Sequence, residues 1–212
     1  MPTEIYNIQP YYRQYRRTIL KYIPDNVKCV LSVGCASGVT EEQLVKRGVK
    51  VVGVEINPQA AEIARQRGLT ILEGDASEID VAVAGQSYDC IIYADILEHL
   101  PDPEAVLKKH VSLLEPKGTV IVSVPNFRHY VVFWNLFIRG HVRYWDTGIL
   151  DRTHLRLTTR KMVLEWFGLV DLQTVICKCS VEGLRDRVIS AIFLRLADDF
   201  LATEIFAVAR KP

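Results

Sequence analysis

The 212-residue sequence lacks several features that would place it in a specialised class. It has no strong charge of one sign, since 26 lysine and arginine residues face 25 acids and the formal net charge is +1. A near-neutral chain is not expected to bind nucleic acid over its whole surface. The longest uncharged run, residues 29–40, is shorter than the roughly 20 residues of a membrane-spanning helix. No apolar core precedes a cleavage site near the N-terminus, so no secretory signal is predicted.

Cysteine is scarce and is not arranged for disulfides or metal binding. The five cysteines form no C-x-x-C pair and have no histidines at metal-ligand spacing. With 49% apolar residues, a chain of this length can bury a core without disulfides. These features predict a soluble protein in a reducing, cytoplasmic location.

The residues that are present alternate between apolar runs and helical patterns. Seven runs are predicted to be strands: residues 29–33, 49–54, 70–72, 88–93, 118–124, 172–179 and 203–209. Predicted helices cover residues 11–22, 40–47, 57–67, 103–114, 161–167 and 184–201. Almost continuously apolar strands separated by helices indicate a parallel sheet that is covered on both faces. The pattern predicts a doubly wound, mainly parallel seven-stranded α/β fold with helices on both faces.

A single domain with four parts is expected from the order of these elements. Residues 1–27 are a helical cover, residues 28–126 carry the ligand-binding core, and residues 162–212 supply the last strands and helices. Residues 127–161, here called the cap segment, are rich in aromatic residues and arginine and are predicted to be a cap inserted after the fifth strand. In such a fold, ligands bind beyond the carboxyl ends of the strands.

A glycine-bearing turn follows the first predicted strand. The turn reads Gly34-Cys35-Ala36-Ser37-Gly38 and leads into a helix, an arrangement that lets a ligand approach the backbone. Glu55 ends the second strand, where an acid can accept hydrogen bonds from both hydroxyls of a ribose. Asp75 follows the third strand, at a position to accept from an adenine amine. The turn is G-x-x-x-G and not G-x-G-x-x-G, which disfavours a dinucleotide.

Together these segments resemble the class I S-adenosylmethionine-dependent methyltransferases. The similarity runs from residue 28 to residue 126 through VLSVGCASG, VGVEINP, EGDA, YDCIIYADILEHLPDP and LLEPKGT. The resemblance implies a Rossmann-like fold, with S-adenosylmethionine as cofactor and S-adenosylhomocysteine as product. It implies that the cofactor contacts Gly34, Cys35, Ala36, Ser37, Gly38, Glu55, Ile56, Asp75, Ala76, Ala94 and Asp95. Two positions depart from the family pattern: Ser32 replaces the usual acid and Ala36 the middle glycine, and either change could weaken cofactor binding.

Histidines are the candidates for activating an acceptor. A hydroxyl that attacks the sulfonium methyl reacts faster when a base removes its proton. His99, just after the fourth strand, is the first candidate, and His154, close to Asp151, is the second. His110 is expected on a helix surface. Asp95 and Asn126 could imitate two ligands of a magnesium site, but no third ligand is evident, so no metal site is predicted.

The acceptor is expected to be a small molecule. Residues 148–158, GILDRTHLRLT, resemble a segment of methyltransferases in glycan and natural-product pathways, which implies a sugar-like or similar hydroxyl. The arginines of the cap segment suggest an anionic or sugar-linked substrate, although a solvated basic face would look the same. The apolar run at residues 130–138 is interpreted as a lid helix rather than a patch that touches a membrane surface. Open alternatives are methylation of nitrogen or carbon, cofactor binding without activity, and a nicotinamide-dependent oxidoreductase.

Overall fold

The computed structural model describes residues 15–180 and 198–212, and its centre is a seven-stranded sheet. The strands are β1 (Cys29–Val33), β2 (Lys50–Glu55), β3 (Thr70–Glu73), β4 (Tyr88–Ala94), β5 (Leu114–Pro125), β6 (Gln173–Ser180) and β7 (Glu204–Arg210). Their order across the sheet is β3-β2-β1-β4-β5-β7-β6. The first five strands are parallel, and β7 runs antiparallel to both β5 and β6. The predicted doubly wound, mainly parallel α/β fold is confirmed.

The central strands are apolar because both faces of the sheet are covered. Every residue of β4 except Asp89 is buried, and so is the second half of β5. Two apolar clusters lie on opposite sides of the sheet, one containing Tyr93 and Phe167 and the other containing Ile92 and Phe206. Adjacent strand residues point to opposite faces, which explains why neighbours such as Ile92 and Tyr93 belong to different clusters.

Most of the helices that can be compared are shorter than predicted, and α6 is longer than the predicted helix 161–167. They are α1 (Arg17–Leu20), α2 (Glu42–Val45), α3 (Pro58–Gln66), α4 (Pro103–Ser112), α5 (Tyr130–Phe133), α6 (Arg160–Leu169) and α7 (Asp198–Leu201), with 3-10 turns at Val81–Ala84 and Leu97–His99 and a π-helix at Trp134–Ile138. Asparagine before proline favours a helix N-cap at Asn57, and the prediction is confirmed, since its side chain accepts from the Gln59 and Ala60 amides. Glycine favours a helix end at Gly168, but that prediction is wrong, since Gly168 lies inside α6. Residues 11–14 and 184–197 of the predicted terminal helices lie outside the described residues.

The cap segment connects β5 to α6. Its first part, α5 and the π-helix, has exposed apolar side chains, including Phe133, Trp134 and Phe137. The expectation of a packed lid helix is therefore not met within the described residues. Its second part, residues 146–154, lies at the carboxyl ends of the parallel strands and lines a cavity there. None of the helices within residues 15–180 and 198–212 combines the length and apolar character needed to span a membrane.

Candidate functional site

A cavity of about 1010 Å³ opens beyond the carboxyl ends of the parallel strands. Residues from the loops after β1, β2 and β3 form what we call its loop end: Gly34, Ala36, Glu55, Ile56, Asp75 and Ala76. The loop after β4 and the cap segment form its histidine end: Glu98, His99, Asp151, Thr153 and His154. In the sheet, β2 and β1 lie between β3 and β4, so the loop after β3 and the loop after β4 are three strand spacings apart. The two ends of the cavity can therefore contact different parts of a ligand.

The backbone of the glycine turn is left-handed at every second residue. Gly34 has φ +70°, Ala36 +51° and Gly38 +70°. A left-handed conformation costs a residue with a Cβ about 1–2 kcal/mol. Ala36 thus adopts the conformation that a glycine would provide at this position, and the turn keeps its shape despite the departure from the family pattern.

The side chain of Glu55 stabilises this turn through hydrogen bonds to the backbone. It accepts from the Ala36 amide at 2.7 Å and from the Asn57 amide at 2.8 Å, one bond to each carboxylate oxygen. Only 4% of the residue is exposed, and this burial raises the pKa of the carboxyl, while the backbone amides of Asn57, Ala36 and Ile56 oppose the shift. Each carboxylate oxygen can accept a further bond, so Glu55 can receive donors from a ligand in the cavity.

A second buried acid compensates for Ser32. The Ser32 hydroxyl donates to Glu41 Oε1 at 2.7 Å, and both residues are buried. Glu41 comes from the start of the helical turn after the glycine loop, so a carboxylate lies beside β1 although the strand itself supplies none. Burial raises the pKa of Glu41, and the Ser32 bond and the nearby Arg16 and Arg67 oppose that shift.

The remaining residues of the loop end fit the face of a flat ligand. Asp75 Oδ1 accepts from the amide and the hydroxyl of Ser77 at 2.7 and 2.6 Å, and these bonds lower the pKa of Asp75. Ile56 is largely exposed and lines the cavity together with the buried Ala76. The cavity lining at this end therefore includes an apolar side chain, that of Ile56, and a hydrogen-bond acceptor, the carboxylate of Asp75.

Four of the predicted contact residues lie behind the cavity wall. Cys35 is buried against Gly53, and a Cβ added at position 53 would lie 2.5 Å from the Cys35 sulfur. Burial raises the pKa of the Cys35 thiol well above its usual value. Ser37, Gly38 and Ala94 do not line the cavity either. These residues shape the turn and the strand end, and their side chains contribute no surface to the cavity.

Asp95 connects the loop after β4 to the N-terminal segment. It has a left-handed backbone with φ +51°, and its carboxylate accepts from Ser123 Oγ at 3.2 Å and forms an ion pair with Arg16. Arg16 and Asp95 both line the cavity. The ion pair fixes the Asp95 side chain between the two ends.

Three proton-accepting atoms converge at the histidine end. Glu98 Oε1 lies 4.0 Å from His99 Nε2 and 3.9 Å from His154 Nε2, and the two imidazole rings are 4.8 Å apart at an angle of 64°. The Glu98 side chain is 1% exposed, and neither carboxylate oxygen has a hydrogen-bond partner among residues 15–180 and 198–212. Burial raises the pKa of Glu98 well above its usual value, and the negative charge of Asp95 adds to the shift.

Backbone carbonyls fix the orientation of both imidazoles. His154 Nδ1 lies 2.9 Å from the Ile149 carbonyl, and His99 Nδ1 lies 3.2 Å from the Thr153 carbonyl. A carbonyl only accepts, so Nδ1 carries the proton in each ring and Nε2 of the neutral ring carries a lone pair. Burial lowers the pKa of His99, and the neighbouring His154 lowers it further. The two Nε2 lone pairs and the Glu98 carboxylate therefore face one another without a donor.

The cap segment is held to this cluster through the backbone of Glu98. Its carbonyl accepts from the amides of Leu155 and Arg156 at 2.8 and 3.1 Å. His154 does not bond Asp151, whose Oδ1 accepts instead from the amide and hydroxyl of Thr153. Asp151 therefore shapes the turn that precedes His154, and Ile149 orients the imidazole.

The structure brings both catalytic candidates, His99 and His154, into one cavity, and the sequence analysis missed three residues. Glu98, Glu41 and Arg16 were not singled out, because a single acid or arginine gives no periodic signal. The expectation that His110 lies on the surface is wrong: it is buried and shares a 3.0 Å hydrogen bond with the Tyr93 hydroxyl. Asn126 is not available as a metal ligand of the type considered, since its amide nitrogen donates to the carbonyls of Asp199 and Ala202 and its oxygen accepts from Arg128.

Comparison with known sequences identifies related proteins. A family model described as a methyltransferase domain matches residues 6–176. The ubiquinone biosynthesis O-methyltransferase of Cereibacter sphaeroides is 31% identical over 117 residues, which cover 53% of this chain and 47% of that protein. The protein of the same name from Vibrio vulnificus is 36% identical over 104 residues, 47% of this chain and 44% of that one. The chain thus spans about half the length of the curated relatives it matches.

Solved structures share the fold at low sequence identity. An S-adenosylmethionine-dependent methyltransferase from Archaeoglobus fulgidus superposes with a TM-score of 0.67 at 18% identity, covering 92% of this chain and 90% of that one. The N-methyltransferase NodS from Bradyrhizobium japonicum, solved with S-adenosylhomocysteine, gives a TM-score of 0.53 at 19% identity over 88% of this chain and 79% of its own.

Proposed function

Because the chain belongs to the class I S-adenosylmethionine-dependent methyltransferases, we propose that it transfers the methyl group of that cofactor to a hydroxyl of a sugar-like or natural-product-like small molecule. The observation that carries the proposal is the division of one cavity between a loop end and a histidine end. The loop end offers acceptors for a nucleoside, and the histidine end offers three atoms that favour loss of a proton.

The loop end would hold the cofactor through its adenosine. Glu55 keeps one acceptor site free on each carboxylate oxygen, which suits the two neighbouring hydroxyls of a ribose. Asp75 would accept from the adenine amine while Ile56 covers the ring. The glycine turn would lie along the methionine part, and Asp95 would lie near the sulfonium, whose positive charge favours a nearby carboxylate.

Ser32 and Ala36 do not argue against cofactor binding. Ala36 already has the left-handed backbone of the turn, and Glu41 supplies the buried carboxylate that β1 lacks. The two sequence departures that motivated the alternative of cofactor binding without methyl transfer are thus compensated.

The histidine end would activate the acceptor. In-line displacement needs the attacking oxygen, the methyl carbon and the sulfur to be aligned, so the cavity contributes chiefly by positioning. As predicted from the sequence, His99 and His154 would promote loss of the hydroxyl proton, because both Nε2 atoms accept protons. The oxygen then forms the new C–O bond, the S–CH₃ bond breaks, and sulfur keeps the electron pair in S-adenosylhomocysteine.

Oxygen is favoured as the acceptor atom because the curated relatives carry O-methyltransferase names. The negative charge expected on the substrate rests on fewer residues than the sequence indicated. Of the basic residues in the cap segment, Arg152 lines the cavity, whereas Arg128 and Arg160 pair with Asp199. An anionic group on the acceptor would lie near Arg152, which is exposed and has Asp146 as its present partner.

The experiment combines ligand binding with methyl transfer. Thermal unfolding should shift upward with S-adenosylmethionine and S-adenosylhomocysteine but not with NAD, because a ligand that binds only the folded state stabilises it. Radiolabelled S-adenosylmethionine is then incubated with a panel of sugars, phenols and amines. Stabilisation by NAD alone would refute the family's cofactor for this chain, and transfer only to amines would refute the hydroxyl acceptor.

The contribution of the histidine end is tested with His154→Asn. We expect turnover to fall at least about 100-fold, the lower range for loss of acid–base assistance. Affinity for S-adenosylhomocysteine should stay within about threefold, because His154 lies outside the loop end. Unchanged turnover would remove His154 from the proposal. The matched control is His141→Gln, which alters an exposed histidine of the same cap segment that does not line the cavity.

A further inference from the structure

The Glu98 cluster has an arrangement that a proton acceptor alone does not explain. Its carboxylate is buried without a donor, and both facing imidazoles present lone pairs. A buried carboxylate without a partner is costly, and proteins retain such groups where a proton or a cation completes them. A single shared proton would need oxygen and nitrogen within about 3 Å, whereas the observed separations are 3.9 and 4.0 Å.

We propose that Glu98, His99 and His154 bind a divalent transition-metal cation that faces the cavity. One carboxylate and two imidazoles form a ligand set that suits zinc, iron or manganese and leaves positions open for exchangeable ligands. The three ligand atoms lie within 4.8 Å of one another. Ligands at about 2.1 Å from a tetrahedral ion are roughly 3.4 Å apart. The two separations from Glu98, 3.9 and 4.0 Å, would shorten by about half an ångström. The widest separation in the cluster, up to 4.8 Å, would shorten by up to about 1.4 Å.

The surroundings of the imidazoles support this assignment independently of the distances. Metal-bound histidines typically donate their other ring nitrogen to a carbonyl or carboxylate, which fixes the ring and directs the lone pair to the ion. Ile149 and Thr153 provide such carbonyls for His154 and His99. The backbone of Glu98 is tied to the cap segment, because its carbonyl accepts from the amides of Leu155 and Arg156. The two imidazoles are thus preorganised, and Glu98 lies on a fixed backbone beside them.

The cation would deepen the proposed function, and for its role in catalysis it rests on that function. A hydroxyl that replaces metal-bound water has a lowered pKa, so its proton is released to solvent when the oxygen binds the ion. The metal-held oxygen attacks the methyl carbon, the S–CH₃ bond breaks, and the metal keeps its oxidation state. The histidines then act as ligands, and the step needs no separate base. This revises the sequence expectation that no metal site is present.

The test measures cation binding directly on the full chain. After treatment with EDTA and its removal, the protein is titrated with Mn²⁺ by electron paramagnetic resonance and with Co²⁺ by visible absorption. We expect one Mn²⁺ per chain and a Co²⁺ spectrum typical of nitrogen and oxygen ligands. Glu98→Gln and His154→Gln should each weaken binding at least about tenfold, whereas His141→Gln should bind like the unaltered protein.

Each outcome separates this inference from the proposed function. S-adenosylhomocysteine binding to the same preparations reports both folding and the loop end. Absence of Mn²⁺ and Co²⁺ binding at millimolar concentration, in protein that binds S-adenosylhomocysteine, would overturn the metal site and leave the methyltransferase proposal standing. Equal binding by Glu98→Gln and the unaltered protein would overturn it as well, because the ion would then lie elsewhere, for example on cysteines. Cation binding that depends on Glu98 and His154, without methyl transfer to any acceptor, would support the site and contradict the proposed function.

Discussion

The buried acids at the two ends of the cavity, Glu55 and Glu98, differ in their hydrogen bonding. At the loop end, Glu55 and Asp75 each accept two hydrogen bonds, and Glu41 beneath the turn accepts one from Ser32. At the histidine end, neither oxygen of Glu98 has a hydrogen-bond donor among the residues that the structure describes. The loop end is complete before any ligand arrives, whereas the histidine end needs a positive charge or a donor from outside.

This difference reflects how each end is built. The loop end is formed by the short loops that follow neighbouring parallel strands, so backbone amides are close to the acids that they bind. The histidine end combines the turn after β4 with the cap segment, and its side chains meet across a gap. A preorganised end suits a constant cofactor, and an end with unpartnered acceptors suits a cation and a variable substrate.

The largest expected effect is on stability: replacing Glu98 or Glu41, two buried acids, by methionine should change the free energy of unfolding in opposite directions. In the presence of EDTA, Glu98→Met should raise the free energy of unfolding by about 2 kcal/mol, because a buried carboxylate without a partner is replaced by an apolar side chain. Glu41→Met should lower it by about 2 kcal/mol, because the Ser32 hydroxyl loses its acceptor. Urea denaturation measures both values. If Glu98→Met lowers the free energy of unfolding, the inference that Glu98 is buried without a stabilising partner is wrong.

The next effect concerns cofactor affinity at the loop end. Glu55→Ala should weaken S-adenosylhomocysteine binding about 100-fold, since it removes two charge-assisted hydrogen bonds to a ribose and the support of the Ala36 amide. Isothermal titration calorimetry measures the loss. Glu62→Ala is the matched control, because Glu62 lies exposed on α3. An affinity of Glu55→Ala within threefold of the unaltered protein would show that the loop end does not bind through this acid.

The smallest effect concerns His110, a buried titratable residue that does not line the cavity. Burial lowers the pKa of His110 to about 4, below the value near 6.5 of an unfolded chain. His110 is therefore neutral in the folded protein, and its contribution to stability is present above pH 6.5 and is lost as the pH falls toward 4. We expect a loss of about 2 kcal/mol between pH 7 and pH 5.

His110→Gln should remove this pH dependence, because glutamine does not titrate and can still bond the Tyr93 hydroxyl. Urea denaturation at pH 7 and pH 5 compares the two proteins. An equal decline in both would assign the pH dependence to other groups and not to this buried histidine of the core.

Much of the fold could be predicted from the sequence because parallel strands covered on both faces need continuous apolar runs. Residues 29–33 were predicted with the observed bounds of β1, and Asn57 was placed correctly as the cap of α3. The acids after β2 and β3 were found for the same reason, since the end of a strand fixes where the next residue lies. Helix ends were less accurate, as at Gly168, because tertiary packing extends or shortens a helix beyond its local signals.

The sequence by itself thus determined the sheet, the glycine turn and the acids at its strand ends, all of which follow from local pattern. Only the tertiary structure decided that His99 and His154 meet over Glu98, and that Glu41 supports a turn whose strand carries serine. The physical reason is that these contacts join segments whose separation is set by packing, and no periodicity along the chain records which side chains will face each other. Burial of His110 has the same origin, because a helix pattern does not show which of its faces a neighbouring strand will cover.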